Sequence, residues 1–147
     1  KHGSKMIQAV ANARVPKLTI VLGGSFGAGN YGMCGRGFDP RFIFSWPSAR
    51  TAVMGAAQAA KVMEIVGRAK LERAGQPANE AALAAMSEGL RSRLEKESSV
   101  LFGTARLWDD GIIDPRDTRR VLGLCLDIVA EGAARTLRPN TFGVARL

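Results

Sequence analysis

The residues best suited to chemistry are glycines that directly follow a short apolar run. Residues 18–22 are almost entirely apolar, and residues 23–29 then read GGSFGAG. A short apolar run closed by glycines is typical of a buried, parallel strand. Glycines also let a second molecule approach the main chain closely. A strand, a glycine turn and the start of a helix could therefore hold an oxygen that carries negative charge.

Several kinds of site compete for this stretch. Gly27, Gly29 and Gly32 match G-x-G-x-x-G, but a dinucleotide site also needs an acidic residue about 20 residues further on. The next predicted strand, residues 42–46, is not closed by Asp or Glu. A phosphate loop fails because no Lys-Ser or Lys-Thr follows the glycines. An oxyanion hole of backbone N–H groups needs no side chain, so it stays open beside a glycine turn that serves packing alone.

The remaining reactive residues do not form a site in the sequence. His2 is the one histidine, so neither a catalytic triad nor a metal cluster is predicted. Asp109 and Asp110 are adjacent, and neighbouring side chains rarely converge, which favours a turn over a metal site or an acid–base pair. Cys34 and Cys125 give no disulfide framework and no metal site. We expect both to be buried, reduced thiols.

The elements that position the glycine turn alternate between helix and strand, which is the order of an α/β fold. Strands are predicted over residues 18–22, 42–46 and 51–54, and helices over residues 3–14, 28–35, 56–66, 81–96 and from residue 115 onward. Residues 67–78 are predicted to form a loop, residues 112–113 a short extended piece, and residues 135–147 a surface arm. Asn79 and Asp114 are predicted N-caps, with Pro115 at the first helical position.

The bulk composition indicates one globular unit. The chain has 147 residues, of which 46% are hydrophobic and 23% charged, as in ordinary globular domains. A net charge of +8 would suit a nucleic-acid partner. The arginines are scattered, however, so we predict no nucleic-acid binding. No apolar run is long enough to span a bilayer, and no membrane association is predicted.

Two long stretches resemble one enzyme family. GGSFGAGNYGMCGRGFDPRFIFSWPSARTAVMG, residues 23–55, resembles the carboxyltransferase (beta) subunit of biotin-dependent acyl-CoA carboxylases, and most of all the group that acts on 3-methylcrotonyl-CoA and geranyl-CoA. ARLWDDGIIDP, residues 105–115, is similar to a second signature, which residues 117–119 continue. The resemblance runs from residue 1 to residue 147. Propionyl-CoA enzymes differ around the glycine turn, which argues against that branch.

The resemblance implies an α/β crotonase-like (ClpP/crotonase) fold. The family subunit is much longer and carries two crotonase-like domains, and this chain resembles the C-terminal portion of the second. Residues 1–147 are therefore expected to be part of the C-terminal carboxyltransferase domain, without the N-terminal domain, and to be inactive alone. The implied location is the cytoplasm of a bacterium, or the mitochondrial matrix in a eukaryote.

The resemblance also implies a site. The backbone N–H groups of Ala28 and Gly29 would form an oxyanion hole, and Phe26, Gly27, Ala28 and Gly29 would face biotin. Tyr31 stands where related hydratases carry a glutamate, and a phenol cannot replace a carboxylate at neutral pH. The implied reaction moves a carboxyl group from carboxybiotin to the γ-carbon of 3-methylcrotonyl-CoA, with geranyl-CoA as the alternative acceptor.

The implied partners follow from that reaction. Biotin would be carried on a partner subunit with biotin carboxylase and biotin carrier domains, which uses ATP and bicarbonate. The acyl-CoA thioester would be the substrate, and the beta subunits would form a homo-oligomer, expected to be a hexamer. A different class of function stays open, namely that of a non-catalytic crotonase-like relative that serves oligomerisation or acyl-CoA binding. An Ala28 N–H group already bonded within the protein would favour that relative.

Overall fold

The computed structural model describes residues 2–77, 79–137 and 143. The strands are β1 (Leu18–Val21), β2 (Gly24–Phe26), β3 (Phe42–Ser45) and β4 (Arg50–Ala52), and the helices are α1 (His2–Asn12), α2 (Ala28–Gly32), α3 (Ala56–Arg73), α4 (Glu80–Glu97), α5 (Val100–Thr104) and α6 (Thr118–Ala134). Two 3-10 turns span Arg36–Phe38 and Pro115–Asp117. Within these described ranges, every helix is too short or too polar to cross a membrane.

The strands form two parallel pairs. β1 pairs with β3, with Leu18 opposite Phe42 and Val21 opposite Ser45, and β2 pairs with β4 in the same sense. The Trp46 N–H group donates to the Val21 carbonyl at 2.9 Å. Because parallel strands end at the same edge of a sheet, β1 and β3 deliver the glycine turn and the residues after Ser45 to one place.

A loop before α6 covers the free edge of β3. The Asp110 N–H group donates to the Ile43 carbonyl at 2.7 Å, and Asp110 Oδ2 accepts from the Ile43 N–H group at 2.8 Å. The Ser45 N–H group donates to the Gly111 carbonyl at 3.1 Å. Ile112 forms a parallel bridge with Ser45, so the predicted short extended piece is confirmed.

The predicted end of α3 was wrong. The helix continues to Arg73, so most of the loop predicted over residues 67–78 is helical. A Cβ atom at Gly67 would lie 3.0 Å from Leu83 Cδ2 on α4. The glycine therefore stays in the helix because α4 packs closely there, and the good helix formers that follow it carry the helix onward.

Other boundaries also differ from the predictions. α2 ends at Gly32 instead of residue 35, because Cys34 takes a left-handed φ of 58° that no helix can include. β3 ends one residue earlier than predicted, and β4 covers Arg50–Ala52 instead of residues 51–54. Neither β2 nor α5 was predicted, since both are short and contact elements far along the chain. The predicted arm lies mostly outside the described residues.

Both predicted N-caps are confirmed. Asn79 Oδ1 accepts from the Ala82 N–H group at 3.0 Å and caps α4. Asp114 Oδ1 accepts from the Arg116 N–H group at 2.8 Å. Pro115 follows this cap as predicted, but the turn that it opens is 3-10, and α6 begins only after that turn.

The hydrophobic core is small. A cluster of buried residues lies under the strand ends, with one residue of α5 packed against it; its members are Val21, Ile43, Ala49 and Val100. Cys34 and Cys125 are buried free thiols, which confirms that prediction. The side chains that position the glycine turn are therefore held by few buried contacts within the described residues.

Candidate functional site

A cleft opens at the carboxyl ends of β1 and β3. It has a volume of about 560 Å³, and its wall includes Val21 and Ser45 at the strand ends. Gly27 and Ala28 form a second part of the wall, and Asp109 contributes to a third. This volume is in the usual range of small-molecule sites, and α/β proteins bind ligands outside the carboxyl ends of their strands. The cleft is therefore the candidate functional site.

The glycine turn has a backbone that requires glycine. Gly27 has φ 54° and ψ −135°, in the region that L side chains rarely adopt. Its N–H group donates to the Ala52 carbonyl at 3.1 Å. A Cβ atom at position 27 would lie 2.9 Å from the Val53 carbonyl oxygen, closer than packed atoms allow. The turn is therefore fixed in shape and pressed against the end of β4.

Two backbone donors of the turn have no partner in the part of the chain that the structure describes. The N–H groups of Gly27 and Asn30 are bonded, to Ala52 and Gly27 respectively. Across the described residues, no hydrogen-bond acceptor is found for the N–H groups of Ala28 and Gly29. Such donors suit an oxygen that gains negative charge during a reaction.

The four residues predicted to face biotin occupy different places. Gly27 and Ala28 line the cleft. Phe26 ends β2, and its side chain is 38% exposed. Gly29 is the second residue of α2. The structure thus brings two of the four to the cleft wall, with the other two directly beside them in the chain.

Two further side chains of the wall are held by neighbours. The Tyr31 ring packs edge-on against Phe38, with ring centres 5.7 Å apart. The Arg36 guanidinium donates to Asp110 Oδ1 at 2.9 Å, while the other Asp110 oxygen accepts from Ile43. Both oxygens of Asp110 are therefore occupied, and this carboxylate is structural. These contacts agree with the prediction that Asp110 belongs to a turn and not to a metal site or an acid–base pair.

Asp109 is a buried residue of the cleft wall, and its burial was not predicted from the sequence. Its side chain is only 7% exposed. Oδ2 accepts from Thr104 Oγ1 at 3.1 Å, and Oδ1 is buried with no hydrogen-bond partner among the described residues. Two adjacent acids after Trp108 were visible in the sequence, but nothing local distinguished the buried carboxylate from the one that braces β3.

Two groups with shifted pKa values lie away from the cleft wall. Burial raises the pKa of the Cys125 thiol, and the negative charge of Asp110 raises it further. Hydrogen bonds from the Arg116 side chain and backbone lower the pKa of Asp114. Among the residues described, no cluster of three or more His, Cys, Asp or Glu could hold a metal ion. The cleft wall thus combines the backbone of the glycine turn with polar side chains that include Tyr31, Arg36 and Ser45.

Comparison with known proteins places the chain among carboxyltransferases. The chain is 54% identical over 130 residues to the biotin-dependent 3-methylcrotonyl-coenzyme A carboxylase beta1 subunit of Mycobacterium tuberculosis, covering 88% of this chain and 25% of that protein. The beta subunit of geranyl-CoA carboxylase from P. aeruginosa superimposes with a TM-score of 0.87 at 61% identity, over 100% of this chain and 27% of that one.

A more distant structure shares the same fold. The transcarboxylase 12S protein, solved as a hexamer assembly, superimposes with a TM-score of 0.71 at 32% identity, over 97% of this chain and 26% of that one. These likenesses confirm the α/β crotonase-like fold. The chain spans about a quarter of the length of the relatives that it matches.

The match to a known protein family covers nearly the whole chain. The carboxyl transferase domain family matches residues 1–144, which include the glycine turn, the cleft and α6. The motifs around residues 23–55 and 105–115 lie inside that match. The chain belongs to the carboxyl transferase domain family.

Proposed function

We propose that this chain is part of the C-terminal carboxyltransferase domain of a biotin-dependent acyl-CoA carboxylase beta subunit. The complete protein would move a carboxyl group from carboxybiotin to the γ-carbon of 3-methylcrotonyl-CoA. The observation that carries this proposal is a pair of N–H groups without an acceptor among the described residues, at Ala28 in the cleft wall and at the adjacent Gly29, in a chain of the carboxyl transferase domain family. The relative from M. tuberculosis, named for 3-methylcrotonyl-coenzyme A, supports the acceptor.

The cleft suits the ring system of biotin. Its wall combines apolar side chains such as Val21 and Ile43 with the backbone donors of the glycine turn. An uncharged bicyclic urea needs that combination, because its rings are apolar and its carbonyl oxygen accepts hydrogen bonds. When bound, carboxybiotin supplies the carboxyl group and the site at which the substrate proton is taken up.

The protein's part in the chemistry is electrostatic. The Ala28 and Gly29 N–H groups would donate to the ureido oxygen as negative charge develops on it. Donors fixed in place before the reaction stabilise such charge without reorganising, and losing one of them costs on the order of 3 kcal/mol of barrier. Gly27 holds these donors in position through its bond to Ala52. Tyr31 would shape the cleft wall and take no part in proton transfer.

Geranyl-CoA is the second candidate acceptor. The solved beta subunit of geranyl-CoA carboxylase is 61% identical to this chain. That protein differs from a methylcrotonyl enzyme in the length of the acyl chain that it accepts. The acyl pocket of the complete protein would include residues beyond this segment, so the comparison needs the complete beta subunit.

The proposed assembly follows the same relatives. A homo-oligomer of beta subunits, proposed to be a hexamer, is supported by the hexameric transcarboxylase 12S structure. A biotin carboxylase and biotin carrier subunit would use ATP and bicarbonate to charge biotin. The rival function, a non-catalytic relative, loses support because no acceptor for the Ala28 N–H group is found in the described part of the chain.

A carboxylation assay tests the proposal. A complete beta subunit that carries this segment would be combined with its biotinylated partner, ATP and labelled bicarbonate. Methylcrotonyl-CoA, geranyl-CoA and propionyl-CoA would be compared by kcat/KM. Preference for methylcrotonyl-CoA supports the proposal, and preference for geranyl-CoA supports the second candidate. Absence of transfer to all three, with the partner shown to be biotinylated, contradicts both and leaves the non-catalytic relative.

A further inference from the structure

A second groove adjoins the cleft and is rich in cationic side chains. It has a volume of about 550 Å³, and Arg36 lies in the wall of both cavities. Among the described residues that line the groove, one is acidic, Asp39, and the cationic ones are Arg14, Lys17, Arg36 and Arg41. A concave surface that gathers charge of one sign attracts ligands of the opposite sign. The groove is therefore suited to an anionic partner.

Most of these cations are not paired with a carboxylate. Within the described part of the chain, no ion pair or hydrogen bond is found for the side chain of Arg14 or Arg41. Lys17 Nζ donates to a backbone carbonyl of α1 at 3.2 Å, and that acceptor carries no net charge. Of the cationic residues of the groove, Arg36 alone meets a carboxylate among the described residues, with Asp110 Oδ1 at 2.9 Å. The groove therefore keeps positive charge that a carboxylate from outside the segment could neutralise.

Backbone contacts hold the groove in shape. The Arg41 N–H group donates to the Lys17 carbonyl at 2.7 Å, which joins the segment after α1 to the segment before β3. Pro16 and Pro40 also lie in the wall, and a proline ring fixes the backbone φ angle of its residue. The cationic residues therefore stand on two segments whose backbones are joined, and not on one mobile loop.

The groove suits a protein surface better than a free phosphate. Val15 lies in its wall and is 67% exposed, so apolar surface adjoins the cations. A phosphate ion would bond to the guanidinium groups but would leave this apolar surface in water. A protein surface offers carboxylates and apolar groups together, and arginine is enriched where proteins meet. The occupant that this wall favours is therefore an acidic protein surface.

We infer that the groove binds carboxylate side chains of the carrier domain that brings biotin to the cleft. This inference rests on the proposed function and names the contact surface of one of its partners. Biotin attached to a carrier enters the cleft only when the carrier lies against the rim, and Arg36 connects the cleft wall to the groove. The carrier must also leave after each transfer. Attraction between exposed charges suits this cycle, because it speeds the encounter more than it strengthens the complex.

The first test compares two acceptors in the parent protein. Carboxyl transfer from the carboxylated acyl-CoA would be measured with the complete beta subunit, once to the biotinylated carrier subunit and once to biotinamide, which is uncharged. Because salt screens attraction between exposed charges, we expect added salt to lower kcat/KM for the carrier and to change kcat/KM for biotinamide much less. The same salt dependence for both acceptors would overturn the inference.

The second test reverses charge in the groove. A variant that combines Arg14→Glu with Arg41→Glu should lower kcat/KM for the carrier at least about tenfold at low salt, because charge steers association on this scale. Transfer to biotinamide should stay near the parent rate, since biotinamide has no carrier surface to be repelled. Arg73→Glu is the matched control, because Arg73 is an exposed arginine in the last turn of α3 and outside the groove wall. It should leave transfer to both acceptors near the parent rate.

The outcomes separate this inference from the proposed function. If the parent subunit transfers the carboxyl group to neither acceptor, the proposed function and the inference fail together. If it transfers the group, and the double variant slows both acceptors equally or slows neither, only the inference fails. An equal loss in Arg73→Glu would show an effect of net charge alone, which also overturns it.

Two further results would assign the groove to another occupant and overturn the inference. A rise in KM for the acyl-CoA, with kcat/KM for the carrier unchanged, would assign the groove to the phosphates of CoA. Loss of assembly of the beta subunit, with the ratio between the two acceptors unchanged, would assign it to an acidic surface of the beta subunit itself. Selective loss of transfer to the carrier in the double variant supports the inference.

Discussion

At the scale of single residues, the backbone of the glycine turn determines what the site can do. Ala28 occupies the first position of α2, where proline fits a helix well because its missing N–H group has no partner in the helix. Ala28→Pro therefore removes one donor with little disturbance of the fold. We expect the carboxylation rate to fall by about 100-fold, which corresponds to a barrier increase of about 3 kcal/mol, with KM for the acyl-CoA within about twofold.

The comparison variant for that prediction is Ala28→Gly, which keeps the N–H group. Its loss of rate should be much smaller than the loss in Ala28→Pro, and the ratio between the two variants isolates the donor. Single-turnover rates from charged biotin carrier would measure the chemical step directly. Equal rates for the proline and glycine variants would show that the Ala28 N–H group has no part in the reaction.

The second prediction at the scale of residues concerns Gly27. Gly27→Ala places a Cβ atom 2.9 Å from the Val53 carbonyl at a φ of 54°. The backbone of Gly27, with φ 54° and ψ −135°, costs an L residue about 1–3 kcal/mol, so the turn should shift and the carboxylation rate should fall at least about tenfold. Gly23→Ala is the control, since open space surrounds that position. Similar rates for both variants would contradict the requirement for glycine at position 27.

The candidate site was only partly predictable at this scale. The run from residue 18 into the glycines predicted the strand and the turn, because apolar burial and glycine flexibility are local properties. The N–H groups of Ala28 and Gly29, which find no acceptor among the described residues, follow from that turn. The unpaired oxygen of Asp109 could not be predicted, since its burial depends on α5 and Thr104 being folded beside it.

At the scale of elements, local signals identified helix starts better than helix ends. Asn79 and Asp114 were predictable caps because a side-chain acceptor needs only the next few N–H groups. The length of α3 was not predictable from the sequence around Gly67. Whether the helix continues through this glycine depends on the close packing of Leu83 from α4. β2 has three residues and exists only through its pairing with β4. The register of β2 is therefore set by contacts with residues far along the chain, which a short stretch of sequence does not include.

The cap before α6 predicts a pH dependence. Hydrogen bonds from Arg116 lower the pKa of Asp114 in the folded state. A lowered pKa means that the ionised carboxylate stabilises the fold above its ordinary pKa, about 4. This contribution is lost as the pH falls through the lower, folded-state pKa. Hydrogen-exchange protection of the Arg116 N–H group, corrected for intrinsic rates, should therefore decrease from about pH 5 downward.

Asp114→Asn provides the matched control for that measurement. Asparagine keeps a side-chain oxygen for the Arg116 N–H group but does not titrate. The variant should show weaker protection than the parent at neutral pH and no further decrease on acidification. If parent and variant lost protection in parallel, titration of Asp114 would not be the cause.

At the scale of the whole molecule, the segment has far more surface than a self-contained domain. It exposes 11054 Å², whereas size scaling gives roughly 7300 Å² for a folded monomer of 147 residues. Large apolar side chains are part of that surface, with Leu107 78% exposed, Leu101 71% and Leu124 61%. None of the described large side chains is fully buried. We therefore predict that part of this apolar surface is covered by other protein.

That surplus predicts how the 147-residue chain behaves alone. Because hydrophobic stabilisation grows with the apolar area removed from water, we expect the isolated segment to unfold over a broad temperature range and to bind a hydrophobic dye before heating. The same segment within a complete beta subunit should unfold sharply and bind little dye, since its apolar faces would be covered. Calorimetry and dye fluorescence on both proteins make the comparison. A sharp transition without dye binding in the isolated chain would show that the core around Val21 and Ile43 suffices, and that the exposed leucines serve another purpose.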